Sequence, residues 1–595
     1  MVDNPLANLD LRLVDSIEEA MNLKRWLGER RETPLGLDTE SGGLSPWKDR
    51  LRLVQVGDLH TGWVIPCPHW GGVWEEIARD YTDEWVLHNS AYDAKVLKLH
   101  TGFDMPWERT HDTMTLASLD NPLRKRDLKG LASKIVDKSA ATGQHVMKDA
   151  MAKRGWTWDT IPLEYEPYIF YSALDPVLAC HMWKYLHPRV MASCPANYDL
   201  ERATLRIVTS MMMAGLRLDL PYMQAKRREF LQREEDGLAW LKEAHGIASV
   251  NSARQLATAF ERLGESITEY TATGLPQFTQ EILQGFEASG ENRAVRDLAR
   301  IVAAVRNVHK MGTTYLDNFE EMAVDGILHC SINPMQARTS RMSTSEPNLQ
   351  NLPRDEKAIR GSFIPREGCA FISCDADQIE ARLAAHFGED QGLIQAFHDA
   401  DQPGAPDFFT VVARQLYQDS SITKKDLRRQ LTKTYTYAKI YGSGLSRLAR
   451  STGATLDQVT ALSQEFQRQF PGLDRIMQQT TAQAKAQHRA GLRPFVTTLM
   501  GRPLPGEVGR EYALLNYLIQ GSAAEALKRG MVELEAAGLR DYMRLPVHDE
   551  VLMEVPRHDA EEVLRQAAAI LTDRDSYRVP ITWSGDILTE RWAKV

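Results

Sequence analysis

The chain has 595 residues, 71 basic and 80 acidic, for a net charge of −9. Roughly 150 residues per domain makes this about four structural units, and 43% hydrophobic against 25% charged residues is globular composition. The balance excludes a uniformly basic nucleic-acid coat, though not a local basic groove, and no stretch approaches the ~18 consecutive apolar residues of a membrane span.

Residues 33–99 read as α/β, with strands predicted over Leu35–Thr39, Leu51–Val56, Trp63–Pro66 and Trp85–His88, then a helix from Ala91 to Leu99. Residues 112–190 read as mainly helical, and the proline-containing stretch from His187 to Pro195 reads as a linker. From 198 to 325 the pattern is helical. The segment AFISCDA then predicts a strand that feeds a helix, DQIEARLAAHF, and helices fill 406–500. Strands return near Leu545 and over Val551–Val555, so one domain is interrupted by a helical insertion. The start, MVDNPLANLDLRLVD, has no signal-like apolar core. The six cysteines form no CxxC pair. Both features suit a reducing, cytoplasmic setting.

In LDTES, Asp38 and Glu40 stand two apart on a strand and leave the same face. Paired carboxylates on a buried strand repel unless cations sit between them. HNSAYD supplies Asn89 and Asp93 at a helix start, and YSALD places Tyr171 and Asp175 on one helix face. This ordered set resembles the DEDD-type 3′→5′ exonuclease domain of the variety with tyrosine before the last aspartate. The resemblance implies an RNase H-like fold in which Asp38, Glu40, Asp93 and Asp175 hold two Mg²⁺ or Mn²⁺ ions and Tyr171 orients the attacking water. Asp112, nearby in HDTMT, reads as structural.

Farther on, Arg429, Lys433, Tyr437 and Tyr441 recur every four residues and form one slowly turning helical stripe. Residues 421–450 hold eight Lys/Arg against one Asp. Cations alternating with tyrosines suit an anion that carries a flat ring. RxxxKxxxYxxxYG, with DxxxIE from Asp375 upstream and HDE at 548–550 downstream, resembles the family A DNA polymerases. TSRMST at 339–344, PNLQNLP at 347–353 and LNYLIQGSAAEALKRG at 515–530 match further. The expected architecture is an α/β and α+β multidomain chain: an RNase H-like exonuclease domain, then a right-hand polymerase domain. Its expected boundaries are 1–190 exonuclease, 198–335 thumb, 336–405 palm (first part), 406–505 fingers and 506–595 palm (second part). The 5′-nuclease domain of bacterial members is expected to be absent.

The same resemblance implies the site roles. Asp375 and Asp549 would hold two Mg²⁺ ions with the Ala376 carbonyl assisting. Arg429 and Lys433 would bind the dNTP triphosphate, Lys433 also protonating pyrophosphate. Tyr437 would pack on the incoming sugar, Glu380 would exclude a ribose, and Tyr441 would mark the template position. Arg341, Gln520, Asn516 and His548 would contact the DNA. The partners implied are primer–template DNA, dNTPs, a single-stranded 3′ end and a possible unidentified processivity factor, with no membrane. Phage replication is the expected setting; the alternatives are a bacterial-type repair polymerase and a nuclease whose C-terminal half only binds nucleic acid. Three departures stand out: Tyr437 where bacterial relatives usually carry Phe, Asp377 in place of Ser, and Tyr512 where the family often has Arg.

Overall fold

The structure, a computed structural model, describes residues 5–29, 34–289, 292–353 and 357–593. The ends of the first and last expected domains, 1–4 and 594–595, lie outside the described residues. The N-terminal part is built on a six-stranded mixed sheet: β1 (Asp10–Leu13), β2 (Leu35–Ser41), β3 (Leu51–Gly57), β4 (Thr61–Pro66), β5 (Trp85–Leu87) and β6 (Thr110–Asp112). The order is β1-β4-β3-β2-β5-β6. Every residue of β3 is buried, as its nearly continuous apolar run requires of a central strand. Trp63, Trp74 and Trp85 are fully buried against the sheet. Large apolar side chains buried this way stabilise by about 1.5–3 kcal/mol each.

The helix Glu166–Ser193 lies across the sheet and carries Tyr171 and Asp175. Two glycines let it approach. A Cβ on Gly36 of β2 would stand 2.2 Å from the Pro176 carbonyl oxygen, and one on Gly62 of β4 would stand 2.0 Å from that of Ala173. The expected linker from His187 to Pro195 is not a loop. Pro188 lies inside this helix, which continues to Ser193, and the next helix, Pro195–Ala214, begins after Cys194. Leu186 and Val190 are completely buried in the proline-containing turns, so tertiary packing outweighs the local proline signal there.

The C-terminal part centres on a four-stranded antiparallel sheet ordered Met543–Val547, Glu550–Pro556, Cys369–Ala376, Trp583–Leu588. Helices between Ile379 and Ala536 are inserted between its sequence-distant strands. The long helices Leu220–His245 and Arg293–Lys310 project with a core of their own around Leu241, Phe260, Leu298 and Val302. The helix Pro195–Ala214 joins the halves: Asn197 donates to Glu525 at 2.8 Å and Arg206 to Glu535 at 2.5 Å on the helix Leu514–Ala536.

Candidate active sites

In the N-terminal site, strand parity puts Asp38 and Glu40 on one face of β2, and the helix Glu166–Ser193 lowers Asp175 onto them. Carboxylate oxygens of these three residues lie within 4.8 Å of one another. Asp93, in the first turn of the helix Ser90–Thr101, stands at the edge of this triad with its Oδ1 accepting from the Thr39 hydroxyl at 2.7 Å. Burial, then the charges of Asp93, Asp175 and Glu40, hold the Asp38 carboxyl well above its usual range. Glu40 is pushed up to about 8, chiefly by burial and next by Asp175. Burial also lifts Asp93 to about 7. The Tyr171 phenol is raised by burial and the neighbouring carboxylates, so it stays a hydroxyl donor.

These are hard oxygen donors, mutually repelling, and Asp175 Oδ1 is buried with no hydrogen-bond partner among the described residues. Such a set fits divalent cations of the Mg²⁺ or Mn²⁺ type. Sequence reasoning missed Lys129. Its ammonium lies 3.1 Å from Asp175 Oδ2 and 2.9 Å from the centre of the Tyr171 ring, and the residue is 6% exposed. It supplies a fixed positive charge to a crowded acidic site. The only sequence signal was a lysine at the second position of the short helix LKGLASKI, which also carries Lys134. Asp112 is structural: its carboxylate accepts from the backbone of Ser90 and of Thr115, each at 2.6 Å, and so fixes two helix starts.

In the C-terminal site, Asp375 and Asp549 come together although they stand 174 positions apart in sequence. The strand Cys369–Ala376 pairs with Glu550–Pro556 so that Asp375 lies opposite Glu550. The Ala376 N–H donates to the Asp549 carbonyl at 3.1 Å. His548 and Asp549 form the hairpin turn, with His548 at φ 57°. Arg341 reaches in from another segment, ion-paired to Glu380 and 3.4 Å from Asp549 Oδ1. Glu380 is 5% exposed and also accepts from the Tyr441 hydroxyl at 2.5 Å. Burial first, then the charges of Glu380, Asp549 and Asp375, raises the Tyr437 phenol.

The basic stripe lies on the helix Leu427–Ile440, with Tyr441 as its last cap. Phe409, which sequence reasoning overlooked, organises it. The Arg429 guanidinium and Lys433 ammonium lie 5.6 and 5.8 Å from its ring centre, and the Tyr437 ring 5.7 Å away. Arg429 is held by Asp407 at 2.7 Å and is only 8% exposed. Lys433, Tyr437 and Tyr441 line a cavity of about 310 Å³. Asn516 and Gln520 stand one turn apart on the helix Leu514–Ala536, and Asn516 Oδ1 has no partner among the described residues. Tyr512 packs against Gly442, whose φ is 69°. Asp377 accepts from the hydroxyls of Thr582 and Ser584 at 3.0 and 2.7 Å, and Ser584 stands opposite Asp375 in the strand register.

Among known sequences, the pattern described as DNA polymerase family A matches residues 221–594, and that described as 3′-5′ exonuclease matches residues 12–191. The DNA polymerase of Mycobacterium phage D29 is 30% identical over 91% of this chain and 90% of its own length. That of Mycobacterium phage L5 is 29% identical over 91% and 90%. DNA polymerase I of Pseudomonas aeruginosa is 28% identical over 95% of this chain and 64% of its own length. Among solved structures, the POL domain of Pol1 from M. smegmatis, in complex with DNA primer-template and dNTP, superposes with a TM-score of 0.78 at 23% identity, covering 98% of this chain and 99% of that one. This last likeness is one of fold.

Proposed function

The chain belongs to the family A DNA polymerases and carries a 3′–5′ exonuclease domain before its polymerase domain; from that premise we propose how its two acidic sites divide the work. The polymerase site takes primer–template DNA and a dNTP. The observation that carries this reading is the union of Asp375 and Asp549 at one strand end beside the stripe of Arg429, Lys433 and Tyr437. Domain roles follow the boundaries expected from sequence: 198–335 thumb, 336–405 and 506–595 palm, 406–505 fingers.

Asp375, Asp549 and the Ala376 carbonyl would hold two Mg²⁺ ions. When bound, those ions supply the charge that promotes in-line attack and offsets the departing oxygen. The protein does the rest by position and charge. Lys433 and Arg429 meet the triphosphate, Lys433 donating a proton to pyrophosphate as it leaves. Phe409 holds both cations at a fixed separation. Tyr437 packs on the incoming sugar, and Glu380, locked by Tyr441 and Arg341, stands where a ribose hydroxyl would project. Arg341, Gln520 and Asn516 contact the minor groove, whose acceptors are shared by correct pairs, and His548 sits by the primer end.

The N-terminal site would hold its own ion pair through Asp38, Glu40, Asp93 and Asp175. Tyr171 orients the attacking water, and Lys129 fixes Asp175 and the tyrosine ring. The relatives from Mycobacterium phages support a role in phage DNA replication.

A labelled primer–template assayed with and without dNTPs tests both sites. Asp549→Ala should stop extension and leave 3′ digestion; Asp38→Ala should do the reverse. Extension by the Asp549 variant, or undiminished digestion by the Asp38 variant, would overturn the assignment.

A further inference from the structure

Asp407 stands at the N-cap of the helix Phe408–Tyr417, where its carboxylate accepts from the Thr410 backbone N–H at 3.2 Å and from the Thr410 hydroxyl at 2.9 Å. The same carboxylate crosses to the basic stripe. Its Oδ1 accepts from Arg429 Nη2 at 2.7 Å and from Arg429 Nε at 3.3 Å. Burial alone would raise the Asp407 carboxyl, but the hydrogen bonds from Arg429 and Thr410 outweigh it and hold it below its usual range, so it stays a charged partner.

The backbone that carries Asp407 is itself anchored. Phe408, the next residue, is buried and stacks on Phe397 with ring centres 3.7 Å apart and planes 3° apart. Phe397 lies on the helix Gln391–Ala400, and Asp401 just beyond that helix accepts from Nη1 and Nη2 of Arg382 at 2.8 and 2.7 Å. Arg382 belongs to the helix Ile379–Gly388, which follows Asp375 and also carries Glu380. A continuous line of close contacts therefore runs from the helix beside the paired aspartates to the Arg429 guanidinium. Groups held on packed elements in this way keep their geometry better than groups on loops.

A free arginine samples many rotamers, and a ligand that meets it must still them on binding. Asp407 has already fixed the Nε and Nη2 edge of Arg429, and the Nη1 N–H groups lie outside that fork. We infer that Asp407 is a positioning residue of the polymerase site: it holds Arg429 in the orientation that meets the phosphate oxygens of the incoming nucleotide, and acts on the nucleotide only through that guanidinium. The inference rests on the reading of Arg429 as a triphosphate ligand.

Asn caps a helix as well as Asp does, so Asp407→Asn removes the charge and keeps the cap. Primer extension with a single dNTP, its inhibition by inorganic pyrophosphate, and single-strand 3′ digestion are measured for the full chain. The variants are Asp407→Asn, Thr410→Val, Arg429→Met and the pair Asp407→Asn with Arg429→Met. Asp407→Asn should raise KM for dNTP about five-fold, the penalty of ordering one long side chain on binding. It should weaken pyrophosphate inhibition by about the same factor, change kcat by less than about two-fold, and leave KM for primer–template and 3′ digestion as they are. Thr410→Val frees Asp407 Oδ2 but spares the charge. It should raise KM for dNTP about two-fold, which carries the test if Asp407→Asn fails to fold. Added to Arg429→Met, Asp407→Asn should raise KM no further, because the carboxylate acts only through the guanidinium. An unchanged KM for dNTP in Asp407→Asn would overturn the proposal, and so would a lowered one, in which the carboxylate merely competes for Arg429. A further rise in the double variant would also overturn it, as would a loss confined to kcat or shared by KM for primer–template. Failure of the underlying reading looks different: Arg429→Met itself would then leave KM for dNTP unchanged.

Discussion

Replacing Glu201 by glutamine attacks a buried ion cluster that ties the junction helix to the polymerase part. Glu201, Arg502 and Lys528 are each 2% exposed or less. One carboxylate oxygen, Glu201 Oε1, accepts from Arg502 at 2.9 Å and from Lys528 at 2.6 Å. Lys528 also donates to the Ser340 carbonyl at 3.1 Å. Removing one member of a buried ion pair costs about 3–5 kcal/mol. Glu201→Gln leaves two cations facing a neutral amide, so the upper end, about 5 kcal/mol, is expected. Lys528→Met is milder. It leaves the Glu201–Arg502 pair intact and strands one carbonyl, which costs about 1–3 kcal/mol. Urea unfolding of the full chain reads both through the shift in midpoint. Ser340, at φ 66°, immediately precedes Arg341, so both variants should also raise KM for primer–template more than they lower kcat. A loss below about 1 kcal/mol for Glu201→Gln, or a larger loss for Lys528→Met, would refute the reasoning.

Tyr437→Phe should strengthen discrimination against dideoxynucleotides, because the phenolic hydroxyl can stand in for a missing 3′-OH; an unchanged incorporation ratio would contradict that role. Asp377→Ser should leave the Mg²⁺ dependence of extension where it is, since the Thr582 and Ser584 hydroxyls already engage both oxygens of that carboxylate; a shifted Mg²⁺ titration would place it in the metal site after all. Glu40 rises from 4.5 to about 8 and Asp93 from 3.8 to about 7. The folded metal-free protein therefore binds more protons than the unfolded chain between these values, and its stability falls as pH rises through that window. Thermal unfolding in EDTA should show the decline from pH 5 to pH 8, and Mg²⁺ should reverse it; a rise with pH would contradict the burial. Lys129→Met should steepen the decline and slow digestion while sparing extension, which the same melts and a single-strand digestion assay check.

Local periodicity is enough to make several chemical groups legible. A period of two put Asp38 and Glu40 on one strand face, and a four-residue step put Tyr171 with Asp175 and Arg429 with Lys433. The motif order tied them to a known family. These relations depend only on the geometry of one strand or one helix, which every sequence carries within a few residues. The same local logic failed at Pro188, where burial of Leu186 and Val190 overrode a turn signal.

What remained to the tertiary structure was every relation between elements. Strand pairing alone unites Asp375 with Asp549. Gly36 and Gly62 admit the helix that brings Asp175 to Asp38. Packing inserts Lys129 among the acids and sets Phe409 beside two cations. Desolvation and Coulomb forces act through space, so the unusual proton affinities of Glu40 and Asp93 exist only once distant segments are packed together.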